Sequence, residues 1–158
     1  MCDTEKVCSC FGHFEVEITE ELKARTVMEI DRAIADGVRT FLFGGLSSFD
    51  DLVYDIVTAK KAQAPEYNIK RIFCFPLERD LRKPPHWFRR KEYEDLCCPL
   101  KRKEWWYTSI FFRNVSMIDD SDLVLFYVEE RENSGAYKTY QYAVKSHKKI
   151  VNLALTDK

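Results

Sequence analysis

Arg113 and Asn114 sit side by side and could together grip an anionic ligand. Arginine offers a forked, permanently charged donor set suited to phosphate or carboxylate, and asparagine both donates and accepts toward a base or sugar. Taken without context, the same pair also reads as a surface arginine beside a solvated asparagine. Asp50 follows Gly44-Gly45 and falls, with Asp51, in what reads as the first turn of a helix. Carboxylates there already hold the position an anion would favour and oppose a phosphate, so a ribose hydroxyl or base nitrogen suits Asp50 better. The alternative is that both aspartates only stabilise the helix start, and for Asp51, beside Ser48, that reading is preferred. His13 carries an imidazole that titrates near pH ~6.5 in water, but no carboxylate partner is evident in the sequence. It is read as lining a crevice and not as catalytic.

Gly135 opens a helix, where unpaired amides and the positive dipole end favour a phosphate and the missing Cβ allows close approach. The plainer account makes Asn133 or Ser134 an ordinary N-cap and Gly135 a loop residue. Glu129, Glu130 and Glu132 upstream would repel a phosphate unless they turn outward. His147, with Lys148 and Lys149, suits the negative end of the same helix. Six cysteines invite a metal reading, in which Cys8-x-Cys10-x-x-His13 supplies three soft ligands and Cys97-Cys98 a further pair. No CxxC spacing is present, and reduced thiols acting as small hydrophobes are the better account: Cys8 and Cys10 alternate along an apolar strand, and Cys74 lies inside Ile72-Phe73-Cys74-Phe75. Neither a metal nor a cofactor is expected.

These candidates need elements to hold them, and the chain supplies a repeating pattern. An apolar run ends in Cys10-Phe11-Gly12-His13; Thr19-Glu20-Glu21 then caps a helix with Leu22, Val27, Ile30 and Ile34 near helical spacing, stopped by Asp36-Gly37. Thr40–Phe43 reads as a buried strand, Gly44-Gly45 as its turn, Ser48–Gln63 as a helix halted before Pro65, and Ile69–Phe75 as a third strand. The rhythm breaks over 77–104, where Pro84-Pro85 and Pro99 interrupt a segment dense in Arg, Lys and Trp, read as an insertion or irregular lid. It resumes with a short helix near Ile110–Ile118, a strand Leu123–Val128, a helix from Gly135 to His147 and a strand Ile150–Leu153. Five apolar strands separated by helices predict an α/β fold: one Rossmann-like domain over 1–158, with a five-stranded parallel sheet covered on both faces and the insertion at 77–104. Ligands of such sheets bind at the carboxyl ends of the strands, and four of the five glycines fall there.

Composition bounds the partners. With 25 Lys+Arg against 26 Asp+Glu, no global charge draws the chain to nucleic acid or an anionic membrane. Arg82–Lys91 is locally basic with interleaved aromatics, yet 77–104 as a whole holds nine basic and six acidic residues, so a lid or partner-binding segment is favoured over a nucleic-acid site. Trp105-Trp106-Tyr107 packs that lid on the sheet or walls the pocket. No apolar run approaches the roughly 20 residues a membrane span needs, and the expected location is cytoplasmic.

The series Phe11-Gly12-His13, Phe43-Gly44-Gly45 with Phe49-Asp50, Pro76, Arg113-Asn114-x-x-Met117-Ile118-Asp119 with Ser121-Asp122, and Gly135-Ala136-Tyr137-Lys138-Thr139 with Tyr142-Ala143 resembles the SLOG superfamily, most closely its small bacterial YpsA-like members. The likeness runs from about Val7 to Leu153, and five motifs in order make it moderately specific. It implies a Rossmann-like domain for nucleotides or nucleotide-derived ligands, and relatives that include the LOG phosphoribohydrolases and the DNA-processing protein DprA. It also implies ligand contacts at Gly12, His13, Gly44, Gly45, Asp50, Arg113, Asn114, Ser134, Gly135 and Thr139. Two departures stand out: Ser134-Gly135 replaces the usual Gly-Gly, and the LOG pattern puts Gln141 where a catalytic glutamate belongs. The expected function is therefore a non-catalytic binding or sensing module for a nucleotide-derived small molecule. The alternative is a LOG-like N-glycosidic hydrolase acting on nucleotides. Nucleic acid is an unlikely partner, and a homo-oligomer is an open option.

Overall fold

Strands such as Val38–Phe43 and Leu123–Tyr127 have no polar face, so both of their sides must be covered. The computed structural model describes residues 5–44, 47–85, 88, 92–99 and 106–155, with the backbone alone for 106–108. It meets that demand with one parallel sheet of six strands: β1 (Lys6–Gly12), β2 (Val38–Phe43), β3 (Lys70–Cys74), β4 (Asp95–Cys97), β5 (Leu123–Tyr127) and β6 (Lys149–Asn152), ordered β4-β3-β2-β1-β5-β6. Helices α1 (Glu20–Ala35) and α2 (Ser48–Gln63) build the core on one face with Cys8, Cys10, Phe41 and Phe43, whereas α4 (Trp106–Asp119) and α5 (Gly135–Lys145) pack on the other with Phe11, Cys74, Val124 and Phe126. The α/β class with a Rossmann-like parallel sheet is as expected.

Local signals account for the helix boundaries. Thr19 Oγ1 accepts from the Leu22 amide at 3.0 Å, two glutamates occupy the first turn of α1, and Gly37 at φ +108° takes the left-handed turn beyond its end. The cap of α2 is Ser47, whose hydroxyl accepts from the Asp50 amide at 3.0 Å. Ser48, expected to pair with Asp51, bonds instead to the Val16 backbone at 2.8 and 3.1 Å and ties the β1–α1 loop to the start of α2.

Three expectations need correction. The sheet has six strands, not five, because the segment read as irregular contributes the one-turn helix α3 (Arg79–Arg82) and the edge strand β4. Distant anchors create β4: the Glu94 amide donates to the Arg71 carbonyl at 2.8 Å, and the Phe75 amide to the Cys97 carbonyl at 2.7 Å. The helix expected near Ile110 begins at Trp106, and α5 ends at Lys145, two residues before His147, which turns left-handed at φ 57°. Half of the basic stretch 82–91, including Arg89, Arg90 and Lys91, and the side chains of Trp105-Trp106-Tyr107 lie outside the described residues. Among those described, no helix is long and apolar enough to cross a membrane.

Candidate functional site

The chain runs β1 to β4 in one direction across the sheet and then returns to β1's other edge for β5, so the strand order reverses between β1 and β5. Gly12 pairs with Tyr127 there, and the His13 amide donates to the Tyr127 carbonyl at 3.3 Å. Crevices at such a reversal are where open α/β sheets bind ligands.

His13 is buried against the loop that leaves β5. Its Nε2 accepts from the Glu129 amide at 2.8 Å, which leaves Nδ1 to carry the proton, 3.5 Å from the Ser134 hydroxyl. Burial, with Arg131 nearby, pulls its pKa below the ordinary histidine value and keeps the ring neutral. Ser134 in turn caps α5, accepting from the Tyr137 amide at 3.1 Å. Among the described residues the Gly135 and Ala136 amides ahead of it bond to nothing, and a Cβ built on Gly135 would meet no atom within 4 Å. The glycines of the other loops are filled by the protein itself. A Cβ on Gly12 would lie 2.7 Å from that of Phe49, and one on Gly44 would lie 2.9 Å from the Arg113 guanidinium. Gly45 lies outside the described residues.

A chain of hydrogen bonds crosses the site from β2 to α5. Arg113 Nη1 donates to the Gly44 carbonyl and, at 3.5 Å, to that of Cys74, while Nε and Nη2 both reach Asn114 Oδ1, at 3.1 and 2.8 Å. Asn114 Nδ2 donates to Thr139 Oγ1 at 3.1 Å, and the Thr139 hydroxyl to the Gly135 carbonyl at 3.0 Å. Every acceptor on Arg113 is neutral, and one Nη2 hydrogen has no acceptor among the described residues. Removal from water pulls its pKa down to about 10.

Asp50 is buried at the start of α2. Cys10 Sγ donates to its Oδ1 at 3.3 Å, yet burial outweighs this bond, Ser47 and the more distant Arg113 charge, and raises its pKa to about 6. One turn above Arg113 on α4, Ser109 is fully buried and its hydroxyl has no hydrogen-bond partner among the described residues.

Two linked groups therefore hold the described candidates: Gly44, Arg113, Asn114, Thr139 and Gly135 in one, His13 and Ser134 in the other, with Gly12 packed beneath Asp50's neighbour Phe49. Sequence reasoning weighed Cys10 only as a metal ligand or a small hydrophobe, and missed Ser47 and Ser109. For Ser109 a signal existed, since Ser109, Arg113 and Met117 recur every fourth residue and so share a helix face. Among the described residues no three His, Cys, Asp or Glu side chains group as metal ligands: Cys8 lies in the core and His13 Nε2 is taken by Glu129. No family model matches the chain, and no curated protein sequence matches it significantly.

Proposed function

We propose that the protein is a Rossmann-like binding or sensing module of the SLOG type for a nucleotide or nucleotide-derived ligand, received at the carboxyl ends of β1, β2 and β5. The single observation that carries this reading is the buried Arg113 guanidinium, held among the described residues by neutral oxygens alone. A buried cation without a counter-charge is costly, and an anionic ligand group would supply one. The open space at Gly135 and the amides at the start of α5 offer a second contact for the same ligand. Thermal-shift measurements with nucleotides, dinucleotides, cyclic nucleotides and ADP-ribose-type compounds test it. A ligand at a hundred times its dissociation constant stabilises the native state by about 2.7 kcal/mol, and silence across the panel would sink the proposal.

One observation favours an N-glycosidic hydrolase as the second reading. Asp50, with its pKa near 6, is an acid able to hold or give a proton close to neutrality, in the place of the glutamate that Gln141 does not supply. Incubation with nucleoside monophosphates and chromatography of free base separates the two. Release that vanishes in Asp50→Asn selects the hydrolase, and binding without release selects the sensor.

A further inference from the structure

Cys74 and Cys97 are register partners on adjacent parallel strands, and their sulfurs lie 3.5 Å apart. Neighbouring strands run about 4.8 Å apart, inside the roughly 4.4–6.8 Å between Cα atoms that a disulfide spans, so closing the bond asks for little backbone movement. We propose that these two thiols form an oxidation site, in which a hydroperoxide converts them to a reversible β3–β4 disulfide.

The two cysteines divide the chemistry by exposure. Cys74 is buried beneath α4, whereas Cys97, on the edge strand, is only partly buried, so an oxidant coming from solvent meets Cys97 first in this scheme. The hydrogen bond between them favours charge on Cys97 and, together with burial, holds Cys74 in its protonated form. The Cys97 thiolate attacks the peroxide, taking one oxygen as sulfenic acid and releasing water once protons are balanced. Cys74 sulfur then displaces hydroxide from that sulfenic acid, its own proton leaving with the hydroxide as a second water. Two thiols and one hydrogen peroxide thus become one disulfide and two waters. The bond forms on the residue whose carbonyl accepts from Arg113, and so anchors the edge strand directly to the floor of the candidate site.

Intact protein treated with stoichiometric hydrogen peroxide and digested with trypsin without reduction tests this. The expected product is peptide 72–79 joined to peptide 92–101, two hydrogens lighter than their sum, and separated again by dithiothreitol. The link persists in Cys98→Ser and is lost in both Cys97→Ser and Cys74→Ser. A link that survives Cys97→Ser, a Cys97-Cys98 or Cys8-Cys10 bond in its place, a disulfide between two molecules, or oxidation that stops at sulfinic acid overturns the proposal. Since no ligand enters the test, its failure leaves the binding reading untouched.

Discussion

Arg71 and Arg113 are buried to nearly the same degree, 4% and 5% exposed, yet the protein treats their charges in opposite ways. Arg71, on β3, meets the Glu94 carboxylate with Nε and Nη2 at 2.9 and 2.7 Å, donates to Thr58 at 3.0 Å and lies 5.5 Å over the Tyr54 ring. Its pKa rises through that bonding, and the Glu94 carboxyl falls below its ordinary range for the same reason. Arg113 has no carboxylate at ion-pair distance among the described residues; Asp50 acts on it only from farther away, and burial lowers its pKa. A satisfied pair of this kind holds β4 onto the sheet. Arg113, at the strands' carboxyl ends, meets neutral oxygens in place of a carboxylate among the described residues, and under the proposed reading that difference is what a ligand anion would exploit.

Breaking the satisfied pair should have the largest effect on folding. Glu94→Ala leaves Arg71 buried and uncompensated; about 2–3 kcal/mol of stability should be lost in urea titration, below the figure for a fully buried pair because water reaches Glu94. Arg113→Met is the matching change at the other arginine. It removes a charge that has no carboxylate at ion-pair distance among the described residues, so unfolding should change by less than about 1 kcal/mol while affinity for an anionic ligand falls by about 1.5–3 kcal/mol in calorimetry. Equal destabilisation by the two variants would erase the distinction.

Acid titration sharpens the same contrast, because the carboxyls near the two arginines shift in opposite directions. Asp50 keeps its proton longer when folded, so the native state binds more protons than the unfolded chain between about pH 4 and pH 6, and stability falls as pH rises through that window. Glu94 is depressed, so its contribution is present above its unfolded pKa and is lost as pH falls through the folded one. Asp50→Asn should flatten the decline above pH 4 and raise stability at pH 7 by up to about 3 kcal/mol, read from urea midpoints at both pH values. A variant that keeps the wild-type slope would assign the titration to another group. The smallest effect belongs to Gly135→Ala. With nothing within 4 Å of the new Cβ, unfolding should move by no more than about 0.5 kcal/mol, and any larger loss must appear in ligand affinity.

The sheet was legible because its strands are apolar on both faces, and the helix starts because Thr19 and Ser134 are small hydroxyl residues ahead of amphipathic segments. β4 was not, since its three residues Asp95-Leu96-Cys97 show no period and are held by Arg71 and Phe75, which nothing nearby in the chain announces. Arg113, Asn114 and Asp50 could be picked out by type. Their burial, the neutral partners of Arg113 and the Cys10 thiol on Asp50 arise from packing between segments far apart in the chain, so no local pattern carries them. Gly44 was read as room for a ligand, and the protein's own arginine occupies that space.

The reversal of strand order at β1 also governs when the fold can close. The Val7 amide bonds the Asp122 carboxylate across 115 residues of sequence, and β5 completes β1's second edge only after that whole stretch exists. A ribosome adding ~5–20 residues per second needs roughly 6–23 s to supply it. Throughout that interval β1 can pair with β2 alone, and its other edge, with Phe11 beside it, stays open to any passing strand. The same topology that creates the crevice therefore leaves β1 waiting longer than any other strand for its second partner.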